Sequence, residues 1–294
     1  MMHLHMVCLA LGCASIARLV GYLSLRRVGA TGLKWQTRWH RALIAFVVPP
    51  LLLLTTAIAI VSMGTATGYH PLEGQLSYGL SVSFVAAGLF VWAWLGWTAL
   101  KTQLAVSRIS ARAIENSQHI RLATGRVLDV SAVFSAQVGL WSSDLVVSQG
   151  LIDHLDDEHL AAVLAHESGH AHYRDTFWFF WLGGLRRLTA WLPCSEALWQ
   201  ELLLLREIRA DRWAARSVDT LVLAESLMSV ITAPLMPSEA VCAGFSCAAP
   251  RSRLEQRIDA LLEAPVTEGF DLNARQWSAI ALSLMPLLTI PFHY

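Results

Sequence analysis

Three long apolar stretches constrain this chain more than any other feature: "HLHMVCLALGCASIARLVGYLSL" (about residues 3–25), "ALIAFVVPPLLLLTTAIAIVSM" (42–63) and "YGLSVSFVAAGLFVWAWLGWTAL" (78–100). Each meets the roughly 20 helical residues that a bilayer's hydrocarbon core requires. Backbone placed there must satisfy its own N–H and C=O groups, so each is predicted to be a membrane-spanning helix. The first lacks the basic leader of a signal peptide and is read as retained. Arg18 lies near the end of its span, where it is expected to reach out to the interface. Pro49 and Pro50 predict a kink in the second span. Composition agrees: 55% of residues are hydrophobic, 15% are charged and twelve are tryptophan, against about 25% charged in soluble domains. Formal net charge is zero, which gives no reason to expect direct nucleic-acid binding.

The loops set an orientation. Arg26, Arg27, Lys34, Arg38 and Arg41 separate the first two spans, whereas residues 64–77 contain no Lys or Arg. Basic loops stay inside, so the N-terminus is expected outside a plasma membrane and everything after residue 100 in the cytoplasm. A last apolar segment, residues 277–294, is short and contains two prolines; it is read as a fourth span. Cys8, Cys13, Cys194, Cys242 and Cys247 are scattered and form no disulfide framework.

Between the spans the pattern changes. Residues 126–152 alternate apolar and polar side chains with breaks at "SS" and "QG", as short paired strands do. "DDEHLAAVLAHESGHAHY" then reads as a helix capped by Asp156 or Asp157. At about 100° per residue, His166 and His170 share one helical face with Glu167 beside them. This is H-E-x-x-H, in which two imidazoles bind zinc and the glutamate acts as general base toward the metal-bound water. His172 points elsewhere, and His159 lies two turns away, about 10 Å along the axis.

The H-x-x-G-x-x-H continuation of metzincins is absent, since positions 173 and 176 are Tyr and Thr. A third ligand must therefore come from a later helix. In "LLREIRADRWAA", Glu207 is followed at i+4 by Asp211 on the same face. Glu207 would complete a His2Glu site for one zinc ion, and Asp211 would orient the His166 ring. Glu196, Glu201 and Glu225 are rival acids, but none has an aspartate at i+4. Only residues 171–206, which are 36 in number, separate the half-sites, and two crossings would need about 40 helical residues. One crossing would put the half-sites on opposite sides of the membrane. Residues 177–192 are thus expected to form a hairpin lying in or dipping into the cytoplasmic interface, aromatics down, with Arg186 and Arg187 toward headgroups; a buried core helix is the alternative.

The runs "DLVVSQGLIDHLDDEHLAAVLAHESGHAHYRD", "REIRAD" and "RLEQRIDALLE" resemble the membrane-embedded gluzincin peptidases of the β-lactam-sensor and antirepressor type (BlaR/MecR-like), cousins of the HtpX-like and prenyl-protein peptidases. The resemblance covers about residues 125–262. It implies zinc on His166, His170 and Glu207, catalysis by Glu167, and supporting roles for Asp211 and Asp175. Many relatives have a cysteine where this chain has Ala210, and the sensors' penicillin-binding domain is not expected here. The expected fold is mainly α: multi-pass membrane helices (1–100, with 277–294 as the fourth span) plus a cytoplasmic zincin-like α+β metallopeptidase domain (101–276). The expected partners are the lipid bilayer, a protein substrate such as a cytoplasmic transcriptional repressor, and a separate sensor protein. HtpX-like quality control of membrane proteins and a non-catalytic signalling scaffold are the alternatives. Arg212, Arg216 and Tyr173 are candidate transition-state donors, and the strand at Leu145–Ser148 is expected to be the edge that pairs with substrate.

Overall fold

The computed structural model describes residues 2–29, 35–65, 71–115, 121–232, 253–262 and 274–292. Long helices dominate: α1 (Met2–Gly29), α2 (Trp35–Met63) and α3 (Pro71–Ser107). All three are long and apolar enough to cross a membrane. A small sheet follows, of β1 (Ala111–Glu115), β2 (Arg121–Leu128), β3 (Ser135–Val138) and β4 (Asp144–Ser148). Then come α4 (Gln149–His154), α5 (Asp157–His172), α6 (Asp175–Leu188), α7 (Ser195–Ala214), α8 (Thr220–Thr232), α9 (Leu254–Leu262) and α10 (Ala274–Ser283). Cys242 and Cys247 lie outside the described residues. The chain divides into two compact units, one of Met1–Ala93, Leu182–Leu202 and Thr267–Tyr294, the other of Trp94–Trp181 and Leu203–Val266.

Within the first unit, Arg18 departs from expectation. It does not reach out to an interface; its side chain is wholly buried. The cause lies in α2, which runs on through Pro49 and Pro50. A proline has no N–H, so the carbonyls four residues earlier, those of Ala45 and Phe46, lose their helical donors. Arg18 Nη1 fills the gap, donating to Phe46 O and, at 3.5 Å, to Ala45 O. Its Nη2 donates to Ser195 Oγ at 3.0 Å, and the guanidinium lies 4.7 Å from the centroid of the Phe46 ring. Two prolines in one helix thus create the acceptors that hold an arginine from another.

Ser195 opens α7, and residues 182–202 form a helical hairpin that turns at Thr189–Cys194, with Cys194 at φ 57. At its tip, Leu192 packs with Ala10, Ala14 and Leu53. Those residues lie well inside α1 and α2. Arg186 donates to Glu196 Oε2 at 2.7 Å and lies over Trp199, within the hairpin itself. The C-terminal apolar segment is a 10-residue α-helix, α10, followed by a 3₁₀ stretch over Met285–Phe292, not one continuous helix. Thr55 Oγ1 of α2 donates to Ser283 O at the break.

The second unit is α+β. Its sheet order is β1-β2-β4-β3, with β2 and β4 parallel and the outer pairs antiparallel. β4 is therefore interior, and the edge strand is β3. The expectation that Leu145–Ser148 offers the free edge fails because β2 occupies it, pairing Arg126, Val127 and Leu128 with Val146, Val147 and Ser148. Val127, Val147, Leu151, Leu160, Val163 and Leu164 are buried between the sheet and α5; fully burying one such side chain contributes about 1.5–3 kcal/mol. On the other side of α5, Ala162, Ala214, Leu223, Leu227 and Leu261 bring α7, α8 and α9 together.

Candidate metal centre

The site grows from the start of α5. Asp156 caps it, accepting from the N–H groups of Glu158 and His159 at 3.1 and 2.9 Å. This satisfies orphan donors of the first turn and fixes where the helix begins. Two turns later His166 and His170 project from one face, their Nε2 atoms 3.1 Å apart. α7 crosses α5 at Gly169, where an added Cβ would lie 3.1 Å from Ala210 Cα and 3.2 Å from Trp213 Cβ. That glycine lets α7 come close enough for Glu207 to join the histidines. Ligand atoms of His166, His170 and Glu207 all lie within 4.8 Å of one another.

Each histidine is held from behind by a carboxylate. His166 Nδ1 lies 2.8 Å from Asp211 Oδ1, and His170 Nδ1 lies 2.7 Å from Asp175 Oδ2. Each Nδ1 atom thus has a carboxylate oxygen beside it, as a hydrogen bond for His170 and as a close ion-pair contact for His166, and both Nε2 atoms face the common point, the arrangement a metal requires. Asp175 reaches His170 because α5 and α6 are joined by only Tyr173 and Arg174, and Arg174 takes φ 51 to reverse the chain. Asp175 is the first residue of α6.

Three arginines surround these acids, none of which the sequence had singled out. Arg206 donates to Glu207 Oε1 through Nε at 3.0 Å and Nη2 at 2.7 Å. Arg257 of α9 donates to both oxygens of Asp211 at 2.8 and 2.7 Å and lies 3.6 Å from Glu207 Oε2. Arg209 donates to Asp175 Oδ1. A signal existed in "RLEQRIDALLE": the apolar periodicity of this helix turns Arg257 inward with Leu261, and both are buried. Burial would raise the Glu207 carboxyl, but Arg206, His170 and Arg257 outweigh it and hold it well below the usual carboxylate range. Burial would likewise raise Asp211, and Arg257 outweighs it. For His166, burial acts to lower the ring, but Asp211 and Glu207 prevail and push it up to about 9.

Glu167 is buried beneath the edge strand. Its Oε1 accepts from Ser135 Oγ at 2.7 Å, and its backbone carbonyl accepts from Gln137 Nε2 at 3.2 Å. The rival acids have other partners: Glu196 binds Arg186, Glu201 binds Arg38 at 2.6 Å, and Glu225 faces His159. His172 stacks on Trp213 with centroids 3.8 Å apart. Of the candidate donors, Arg212 binds Ala260 O, Arg216 lies over Trp213, and Tyr173 lies under Arg209. The guanidiniums that reach Glu207 belong to Arg206 and Arg257 instead.

Residues 101–203 match the profile of Peptidase family M48. Among curated proteins nothing matches the chain. The M48 match takes in the sheet, α5 and α6, and so His166, Glu167 and His170. It ends before Glu207, which the fold alone brings to the cluster. M48 peptidases are zinc-dependent, and the donor set fits that metal: two imidazole nitrogens and a carboxylate, buried, with both rings oriented by acids. The match and the cluster together support a metallopeptidase, and the long apolar helices support its association with a membrane.

Proposed function

We propose that this chain is a membrane-bound zinc endopeptidase that cleaves a protein at the cytoplasmic face, with a transcriptional repressor the substrate that the antirepressor resemblance favours. The observation that carries the reading is the convergence of His166, His170 and Glu207 beside Glu167, directly under edge strand β3. His166 and His170 through Nε2, and Glu207 through its carboxylate, would hold one zinc ion, which when bound supplies Lewis-acid polarisation of the scissile carbonyl.

The rest is done by the chain's own residues. β3 is paired only on its β4 side among the described strands, so its outer edge offers backbone donors and acceptors to an extended peptide. The Glu167 carboxylate takes the proton of the attacking water and returns it to the leaving amine. Ser135 Oγ holds that carboxylate in place. Asp211 and Asp175 keep the imidazole Nδ1 protons directed away from the metal position.

The test compares new protein N-termini in cells that express the wild type or Glu167→Ala. Cleavage events that depend on Glu167 are expected at cytoplasmic segments. Purified Glu167→Ala should keep its zinc while losing turnover, whereas His166→Ala, His170→Ala and Glu207→Ala should each lose metal. Full zinc occupancy in Glu207→Ala would refute the ligand set.

A further inference from the structure

Edge strand β3 is tied to α5 at two points, and both belong to Glu167. Ser135 Oγ donates to the carboxylate at 2.7 Å, and Gln137 Nε2 donates to the main-chain carbonyl at 3.2 Å. Ser135 and Gln137 stand two apart, so their side chains leave the same face of the strand, toward α5. The two bonds differ in kind. The carbonyl is fixed within the helix, where it can also accept the usual bond from Ala171, whereas the carboxylate ends a rotatable side chain that the helix alone does not hold. Gln137 is only 8% exposed, so solvent does not replace its bond when it is lost.

The phase of the ladder adds a second relation. Phe134 O accepts from Ser148 N–H at 2.9 Å, and Phe134 N–H donates to Ser148 Oγ at 3.0 Å, so the main chain of Phe134 faces β4. Along an antiparallel strand this direction alternates. The pairs Ala136–Val146 and Val138–Asp144 therefore carry the bonds to β4, and the main-chain groups of Ser135 and Gln137 turn to the outer edge. An extended polypeptide added there would exchange its hydrogen bonds with these two residues. It could shift along them only in steps of two, because a slip of one residue reverses every side chain. The residues that would set the register of the substrate are thus the same two whose side chains hold Glu167.

We propose that Gln137 is a positioning residue for the peptidase reaction: it fixes β3 at the height on α5 at which Ser135 Oγ meets the Glu167 carboxylate, and so couples the register of a bound segment to the aim of the base. This rests on the peptidase reading of the site. Gln137 acts through Ser135, and its side chain touches no reacting group. Replacing that side chain leaves the main chain that pairs with substrate unchanged. Its loss is therefore expected to fall on turnover and to spare both metal content and substrate affinity.

Gln137→Met keeps the length of the side chain and removes the donor. The full-length protein in lipid nanodiscs, loaded with zinc, is given a quenched-fluorescent peptide copied from the strongest Glu167-dependent cut found in cells. Gln137→Met should keep its zinc and its KM, with kcat lowered roughly tenfold. Ser135→Ala should lower kcat at least as far, and the double variant no further than Ser135→Ala, because the two residues act in one line. A wild-type kcat in Gln137→Met, or losses that multiply in the double variant, would overturn the proposal. So would loss of zinc in Gln137→Met, which would make the residue a structural support only. In the metal-free protein, amide exchange should be slow at Ala136 and faster at Ser135. Equal protection at the two would mean that the outer edge is already covered, which refutes the shared role. Absence of any Glu167-dependent cut in wild-type cells is a different result: the peptidase reading itself falls, and this inference with it.

Discussion

Arg257 grips both carboxylate oxygens of Asp211, through Nε at 2.8 Å and Nη2 at 2.7 Å, and Asp211 in turn faces Nδ1 of His166. The orientation of a candidate metal-binding ring thus depends on a residue 46 positions beyond Asp211 in the chain. Arg257→Met should leave Asp211 buried without its partner, a loss of about 3–5 kcal/mol in stability. Metal affinity should fall roughly 10- to 100-fold, as it does when the residue behind a ligand is removed. Competition with a chromogenic chelator measures the second effect and chemical denaturation the first. Unchanged affinity in a folded Arg257→Met protein would show that Asp211 holds His166 unaided.

Gly169 tests the closeness of the two helices that carry the candidate ligands. Gly169→Ala adds a Cβ between Ala210 and Trp213, at 3.1 and 3.2 Å, and must push α7 outward by a few tenths of an ångström. The expected cost is about 1–3 kcal/mol, with Gly169→Val costing more. Metal affinity should fall in the same order, because Glu207 moves with α7. A Gly169→Val protein with wild-type affinity would mean that the close crossing does not matter to the site.

Arg18 should behave as a tie and not as a surface charge. Arg18→Leu frees two proline-exposed carbonyls and the Ser195 hydroxyl at once. Amide exchange at residues 189–198 is expected to become roughly tenfold faster, which corresponds to about 1.4 kcal/mol of lost local stability. Restoring the missing donors with Pro49→Ala and Pro50→Ala in the Arg18→Leu background should recover part of the protection. No change in exchange would place Arg18 outside the hairpin's support.

Metal removal should expose the His166–Asp211 pair to titration. In the metal-free protein His166 is pushed up to about 9 from its ordinary 6.5. A group raised on folding contributes stability that is complete below its unfolded value and is lost as pH rises through the folded one. The thermal midpoint of chelator-treated protein should thus drop by several degrees between about pH 7 and pH 9.5. Zinc-loaded protein, whose His166 is already neutral, should show no such step. A metal-free midpoint that rises across this window would contradict the pairing.

Five basic residues in one loop against none in the next predict the sidedness. A cysteine at Thr65 is expected to react with an impermeant reagent on intact cells. One at Glu158 should react only after permeabilisation. The reverse pattern would move the peptidase site outside the cell and exclude a cytoplasmic repressor.

Local periodicity carried much of this molecule. Apolar runs of sufficient length marked α1, α2 and α3, because burying a backbone in lipid leaves helix as its one economical form. The i, i+4 spacing of His166 with His170, and of Glu207 with Asp211, placed each pair on one helical face before any contact was known. What periodicity cannot carry is the partner. Alternation along Leu145–Ser148 is the same whether one neighbour or two pair with it, and β2 decides that it is interior. Arg18 in an apolar helix suggested escape to water; only the carbonyls freed by Pro49 and Pro50, some thirty residues away, make burial the lower-energy state. Arg257 and Ser135 take their roles in the same way, from where the chain returns in space, since a charge or hydroxyl acts on whatever group the fold puts within about 3 Å of it.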